Sequence, residues 1–416
     1  MSQDATSDET PTAKVVGVPA ETFPDERRVA LVPANVAVLK KAGIDVIVNC
    51  GAGVPAGYAD DEYAAAGAEL VSDRHEIFER ADIILQVRTA GANSEFGTED
   101  RSRLRNGQTL IGMCDPLLGA DIMQEIAESG VTSFALELLP RITRAQSMDV
   151  LSSQASIAGY KAVLTAAAML PKMCPMMMTA AGTITPARFF VLGAGVAGLQ
   201  AIATAKRLGA VVWSYDVRPA VKEEVLSLGA KFLEIDLVKT EDKQSGGYAE
   251  EMNEDFYRRQ RQAMMKIIQE SDIVITTAAI PGRKAPVLVT EEMVAAMPAG
   301  SIIIDLAAES GGNCALTKAR ETIVEHGVTI DGTINVPTTV PYHSSQMYGR
   351  NVTTFLLHLV KEGALDGATT DEIVRDTMVT RGGEVVNARV RKALGLPPLE
   401  ENVNDGAPAV RFGGDS

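Results

Sequence analysis

The sequence predicts an α/β protein of two doubly wound parallel-sheet domains with a cleft between them, the first domain discontinuous. Three observations carry that prediction. Short strand-like apolar runs alternate with helical patterns twice over, once before and once after about residue 150, and such alternation specifies parallel sheets covered by helices. A glycine-rich turn, Gly193-Ala-Gly195-Val-Ala-Gly198, stands between a strand-like and a helical run early in the second set. Further helical patterns follow after about residue 340, when the second set is complete. They are expected to cross back and pack on the first domain.

In the first set, strands are expected at Lys14–Val18, Ile44–Asn49, Ile83–Val87, Thr109–Met113 and Val131–Phe134. Helices are expected at Ala34–Lys41, opened by Pro33, and at Asp121–Glu128. Proline suits a first turn because its missing N–H has no intrahelical partner there. Val150–Leu170 reads as one long helix rich in alanine and leucine, ended by Pro171. In the second set, strands are expected at Arg188–Leu192, Val211–Asp216, Lys231–Glu234, Asp272–Thr276, Ser301–Asp305 and Val328–Ile330, the strand number of a dinucleotide fold. Asn351–Glu362 and Thr370–Lys392 read as the returning helices. The domains are therefore expected at 14–149 with 341–398, and at 150–340, both Rossmann-like. Residues 1–13 and 399–416 are polar, poor in large apolar side chains and expected to be disordered tails.

The 416 residues are 46% hydrophobic and 22% charged, the balance of a soluble protein with real cores. A net charge of −15 argues against nucleic acid and anionic membrane surfaces as partners. Cys50, Cys114, Cys174 and Cys314 lie far apart, with no CxxC and no paired histidines. They read as buried thiols in a reducing compartment, with neither a disulfide framework nor a metal site. The most apolar region, Ala155–Gly182, is interrupted by Lys161, Pro171, Lys172 and Pro175, short of the roughly 20 apolar residues of a membrane span. With no signal-peptide pattern at the N-terminus, the expected location is cytoplasmic. The Met173–Met178 stretch suggests soft packing at a domain junction. His75, His326, His343 and His358 read as isolated surface or supporting residues.

The glycine turn has the context that a dinucleotide loop needs, since it follows a strand, opens a helix and is followed by Asp216 at the end of the next strand. Gly193 makes the tight turn, Gly195 lets the backbone approach a pyrophosphate, and Gly198 lets helix and strand pack closely. The phosphates then meet the helix N-terminus, where free amides favour anions. Ala194, Val196 and Val217 adjoin these positions and, with Thr277 and Ala278 after the expected strand Asp272–Thr276, are assigned to the same cofactor. Asp216 is placed to accept hydrogen bonds from ribose hydroxyls and to repel a 2′-phosphate, favouring NAD. Arg218 is the competing signal, because an arginine there can receive that phosphate. The long charged segment 240–257 contains Gly246-Gly247-Tyr248. It reads as a lid with Tyr248 as its contact residue, or as a solvated insertion.

Arg141-Ile-Thr-Arg-Ala-Gln146-Ser-Met-Asp149-Val-Leu-Ser152 packs a cation, an amide and a carboxylate into nine residues, from Arg141 to Asp149, ahead of the long helix. Taken singly, Asp149 or Ser152 is an ordinary helix cap and Arg141 a surface cation. Together they can hold a reactive nicotinamide ring without contributing an acid or base. That combination points to hydride exchange between two nucleotides.

With Tyr215-Asp-Val-Arg-Pro219, Pro24-Asp-Glu-Arg-Arg-Val-Ala-Leu-Val-Pro33 and Gly246-Gly-Tyr-Ala-Glu-Glu-Met252, these motifs resemble the alanine dehydrogenase/nicotinamide nucleotide transhydrogenase family. Within it they look like the NAD(H)-binding component of proton-translocating transhydrogenases, over about Lys14 to Leu394. The resemblance implies that Arg141, Gln146, Asp149 and Ser152 surround the nicotinamide and its ribose, with Gln146 reaching both nucleotides. It also implies a homodimer, an NADP(H)-binding beta subunit and a membrane-spanning subunit coupling hydride transfer to proton translocation. The chain would then sit peripherally on the inner face of the cytoplasmic membrane. The sibling alanine dehydrogenases carry Lys-x-Lys at the end of their third strand and a catalytic histidine after the fourth. Here those places hold Gln86-Val87-Arg88 and Asp115, which counts against amino-acid oxidation. A non-catalytic NAD-sensing subunit is the remaining alternative.

Overall fold

A computed structural model describes residues 14–235, 254–279, 282–361, 365 and 370–399. The chain divides into two compact units: one runs up to Leu151 and resumes at Pro341, the other is Ser152–Val340. In the first unit, β1 (Val15–Val18), β2 (Asp45–Asn49), β3 (Glu69–Val71), β4 (Ile83–Arg88), β5 (Thr109–Met113) and β6 (Thr132–Ala135) lie parallel, in the order β3-β2-β1-β4-β5-β6. Ile83, Leu85 and Val87 enter one core and Ile84 the other, so the sheet is buried on both faces, as parallel sheets are.

The second unit begins with an antiparallel hairpin, β7 (Met177–Thr179) and β8 (Gly182–Ile184). Its main sheet comprises β9 (Arg188–Leu192), β10 (Val211–Tyr215), β11 (Lys231–Phe232), β12 (Ile273–Thr276), β13 (Ile302–Asp305), β14 (Thr322–Glu325) and β15 (Val328–Asp331), ordered β11-β10-β9-β12-β13-β15-β14. Phe189 and Val191 face one core, Phe190 and Leu192 the other. β14, which the sequence pattern does not reveal, pairs antiparallel with β15. The intervening His326 and Gly327 have φ of 52° and 78°, the left-handed pair that a two-residue hairpin turn requires.

The helix Pro341–Lys361 starts well before the expected Asn351 and buries Tyr348, Val352, Phe355, Leu356 and Leu359 in the first unit's core. Phe355 meets Phe134 edge-on at 5.7 Å. The single helix expected at Thr370–Lys392 is instead a helix (Glu372–Thr377), a hairpin of β16 (Met378–Arg381) and β17 (Glu384–Val385), and a helix (Ala388–Ala393). β16 joins the sheet antiparallel to β6. Gly382 and Gly383, at φ 59° and 87°, form a two-residue turn whose preference overrides the helical pattern.

Three further expectations are corrected. Cys50 is exposed, because it follows β2 in a surface turn; the other three cysteines are buried. The methionine stretch is largely exposed, with Met176 at 61% and Met178 at 75%. His358 is not isolated: its Nε2 lies 3.1 Å from Asp371 Oδ1. Tyr248, the expected lid up to residue 253 and both tails, apart from Leu399, lie outside the described residues. Among the described residues no helix is long and apolar enough to cross a membrane.

Both sheets reverse strand order beside their first strand, between β1 and β4 and between β9 and β12, the place where open α/β sheets bind ligands. In the first unit that place is filled. Glu21 Oε1 accepts from Val87 N at 2.6 Å and Oε2 from Arg88 N at 3.2 Å. Desolvation pushes its pKa up to about 8, with Glu26 adding to the effect. Glu137 takes the amides of Cys114, at 2.7 Å, and Asp115, and desolvation raises its pKa to about 7. Both values lie above the unfolded value of about 4.3, so the folded state holds extra protons. Their contribution to stability is complete below that value and is lost as pH rises through 7 to 8. Infrared spectra at slightly acidic pH should therefore show protonated carboxyl bands that fade across this range, one of them missing in Glu21→Gln. Fully ionised carboxylates throughout would refute the assignment.

Candidate functional site

The second unit's reversal point is built for an approaching backbone. Gly193, at φ 100°, ends β9, and its N–H donates to Tyr215 O at 2.8 Å. A Cβ at Gly193 would come 2.4 Å from Thr277 Oγ1, and one at Gly198 would come 1.9 Å from Gly193 O. Gly195 differs: a Cβ there would meet nothing nearer than Arg218 Nη2 at 4.0 Å. Gly195 is also the N-cap of the helix Val196–Arg207, which has no side-chain cap and no acidic residue in its first turn. The helix thus presents uncapped amides and the positive end of its dipole to open space. These features fit a dinucleotide pyrophosphate.

Asp216, at the end of β10, is bound to that loop. Its Oδ2 accepts from Ala194 N at 2.7 Å and from Arg218 Nη2 at 3.0 Å. Its Oδ1 accepts from Arg218 N at 2.8 Å and Arg218 Nε at 3.0 Å. Desolvation opposes the charge, but the side-chain and backbone bonds from Arg218, with Ala194 N, hold the pKa below the usual carboxylate range. The competing cation is therefore neutralised by the acid beside it. Thr277 follows β12, with Oγ1 3.2 Å from both Leu192 O and Gly193 O. Ala194 is buried, Val196 exposed, and Val217 and Ala278 intermediate.

In the first unit, Thr143–Met148 forms a 3₁₀ turn. Ala145 and Met148 are buried in the core while Arg141 and Gln146 are exposed and Asp149 is intermediate. The turn is pinned by Asn351 Nδ2, which donates to Ser147 O at 2.8 Å, and by the Arg144–Asp371 ion pair at 2.9 Å. Asp371 also takes the His358 contact, and these partners hold it down at about 2 against desolvation. The expected cluster divides between the units, for Ser152 is the first residue of the second. Sequence reasoning missed Glu21, Glu137, Asn351 and Asp371, and also Asp305 and Asn313 of the second unit. A strand-end acid was the signal available for Asp305. Among the described residues, no group of three or more His, Cys, Asp or Glu side chains is placed to hold a metal ion.

Two doubly wound units, one of them with a dinucleotide-type glycine loop, define the class. Residues 17–158 match the N-terminal domain and 162–388 the C-terminal domain of the alanine dehydrogenase/PNT family. The chain is 46% identical over 376 residues to an NAD(P) transhydrogenase subunit alpha chain of Rhodospirillum rubrum, covering 89% of this chain and 97% of that one. The crystal structure of transhydrogenase from Sinorhizobium meliloti superposes with a TM-score of 0.77 at 43% identity, covering 90% and 99% of the two chains. Alanine dehydrogenase of Mycolicibacterium smegmatis is 28% identical over 390 residues, 92% of this chain and 97% of that one. The chain belongs to the alanine dehydrogenase/PNT family.

The glycines separate fold from binding. Gly198→Ala forces a methyl against backbone and should cost about 1–3 kcal/mol of stability, seen as a lowered melting temperature. Gly195→Ala should leave melting unchanged yet weaken anion or dinucleotide binding in calorimetry. Equal effects of the two substitutions on melting would contradict the geometry.

Proposed function

We propose that this chain is the NAD(H)-binding subunit of a proton-translocating NAD(P)+ transhydrogenase. NADH is held at the second unit's glycine loop, and hydride passes directly to NADP+ held by a partner beta subunit. A membrane-spanning subunit couples that transfer to proton movement, and the chain sits peripherally on the cytoplasmic side. The observation that carries this reading is a contrast between the units. The second has an open loop suited to a pyrophosphate. In the first, the positions that a keto-acid reductase would use for proton transfer hold Gln86, Arg88 and Asp115. Gln86 Nε2 donates to Asp100 Oδ2 at 3.0 Å, and Asp100 also takes Arg74 in a two-point pair at 3.0 and 2.6 Å. Arg28, buried, is paired with Glu26 at 2.6 Å. Asp100 thus engages both Gln86 and Arg74, and neither a lysine nor a histidine stands at these positions to deliver the proton that reducing a carbonyl needs.

When bound, reduced nicotinamide supplies the hydride. This chain's part is to orient: transfer between two rings requires near-attack placement, with no proton delivered by a side chain. Gln146, Asp149, Arg141 and Ser152 are assigned to that task, with Gln146's amide offering a donor and an acceptor end. Gly193, Ala194, Gly195, Val196 and Gly198 hold the pyrophosphate. Asp216, Val217 and Arg218 face the adenosine ribose, and Thr277 and Ala278 line the far rim. The higher identity to a transhydrogenase subunit than to an alanine dehydrogenase supports this reading over amino-acid oxidation. A homodimer is supported by exposed apolar residues on the helix Val150–Met169 and the β7–β8 hairpin, among them Tyr160, Met177, Met178 and Ile184. Such patches mark association surfaces.

Two outcomes test the proposal. Asp216→Ala should weaken NADH by about 1–3 kcal/mol and, by releasing Arg218, narrow the preference over NADPH; calorimetric titration with both nucleotides reads this. Unchanged discrimination would remove Asp216 from the site. Gln146→Asn withdraws the amide by one methylene, and misplacement of about 1 Å can cost on the order of a hundredfold in rate. Single-turnover hydride transfer in the reconstituted complex should fall on that scale while NADH affinity changes only a few-fold. Preserved rate, or parallel collapse of binding, would assign Gln146 a ground-state role.

A further inference from the structure

We propose that Asn313 is the positioning residue of the nucleotide rim, its carboxamide fixing the loop that leaves β12 while Asp305 fixes Asn313. The inference rests on reading the β9–β12 reversal point as the nucleotide site. Asn313 is fully buried. Its backbone is satisfied before the side chain acts: N donates to Asp305 Oδ2 at 2.8 Å, and O accepts from Leu288 N at 2.8 Å and Val289 N at 3.0 Å. The carboxamide then staples the loop at two points. Oδ1 accepts from Ala278 N at 3.0 Å, while Nδ2 donates to Ala278 O and to Pro286 O, both at 2.8 Å.

Ala278 and Pro286 belong to no strand of the sheet, so their peptide groups need other partners. One side chain supplies an acceptor and two donors. The partners fix which end is oxygen, because a flipped amide would set Oδ1 against two carbonyls and Nδ2 against an N–H. Aspartate has the shape without the donors, and leucine has the shape with neither donor nor acceptor.

Asp305, also fully buried at the end of β13, anchors the staple. Oδ1 takes Thr276 Oγ1 at 2.8 Å and Ala307 N at 3.0 Å. Oδ2 takes Asn313 N, Cys314 N at 3.0 Å and Thr317 Oγ1 at 2.7 Å. Constraint therefore runs from β13 through Asn313 to Ala278, the residue after Thr277, whose hydroxyl touches the glycine loop. Thr277 ties the rim to the glycine loop at one end, and the Asn313 amide fixes the residues that follow it.

Asn313→Asp tests this in the full-length chain, with NADH as probe. An ionised carboxylate would face the carbonyls of Ala278 and Pro286, while protonation returns one donor. The titratable groups packed around that position are Asp305 on β13, Cys314 beside it and Lys284, which lies against Gly311. Burial, the facing carbonyls and Asp305 all raise the new carboxyl's pKa. Aspartate still accepts from Ala278 N–H, so the loss of hydrogen-exchange protection in the ligand-free variant should show at the neighbouring Thr277 N–H, which donates to Leu192 O at 2.8 Å. NADH should bind about tenfold or more weakly at mildly alkaline pH. Affinity should recover toward the parent chain's, measured in parallel, as pH falls. Retained protection with parental affinity at every pH overturns the proposal, as does a loss of affinity that pH does not relieve. If the variant does not fold, Thr317→Val loosens Asp305 instead, and unchanged NADH affinity there overturns it equally. Gly195→Val serves as the control: normal NADH binding by that variant would defeat the nucleotide-site reading itself, a failure distinguishable from that of Asn313.

Discussion

The contact between Gly198 and the carbonyl of Gly193 is the constraint on which the nucleotide site depends. The helix Val196–Arg207 lies so near the end of β9 that a single methyl at Gly198 would stand 1.9 Å from that oxygen. Close approach brings the helix's first-turn amides to the edge of the sheet, where an anion gains most from them. It also leaves Gly195 facing open space, so the same turn that tightens the fold makes room for a ligand. Asp216 reinforces the arrangement by accepting from Ala194 N, tying the end of β10 to the turn.

The two units share one topology and answer the same geometric problem with opposite chemistry. Where strand order reverses, neighbouring loops leave the sheet in opposite directions, and the exposed strand-end amides need acceptors. The second unit leaves its reversal point open beside a helix N-terminus. The first closes its own with Glu21, which accepts from Val87 N and Arg88 N. A carboxyl group already seated on those amides occupies the space and takes the donors that a phosphate would need. This division of roles, one unit open and one filled from within, follows from a glycine turn after β9 and a glutamate after β1.

Burying polar groups in this way demands that each find a partner, since an unsatisfied buried group costs about 1–3 kcal/mol. Asp305 meets the demand with five donors, and Asp100 by joining Arg74 and Gln86. The 3₁₀ turn carrying Gln146 is held similarly, by Asn351 and Asp371 beneath and by Ala145 and Met148 in the core. Exposed side chains thereby stand on a base that cannot shift independently.

Fold class, most strands and the glycine loop were legible in the sequence alone, because alternation of apolar runs and the conformational needs of glycine are local properties. The same local reading failed at Thr370–Lys392, where pairing of β16 with β6 and the Gly382-Gly383 turn outweighed a helical pattern. It could not find the residues that support the site. Asn313 meets Ala278 across 35 residues, Glu21 meets Val87 across 66, and Arg144 meets Asp371 across 227. Asparagine, glutamate and arginine are common surface residues, and nothing in their sequence neighbourhoods marks them as partners. Only the tertiary fold brings such groups within hydrogen-bonding distance, and around the buried Asn313 it excludes the water that would otherwise satisfy them.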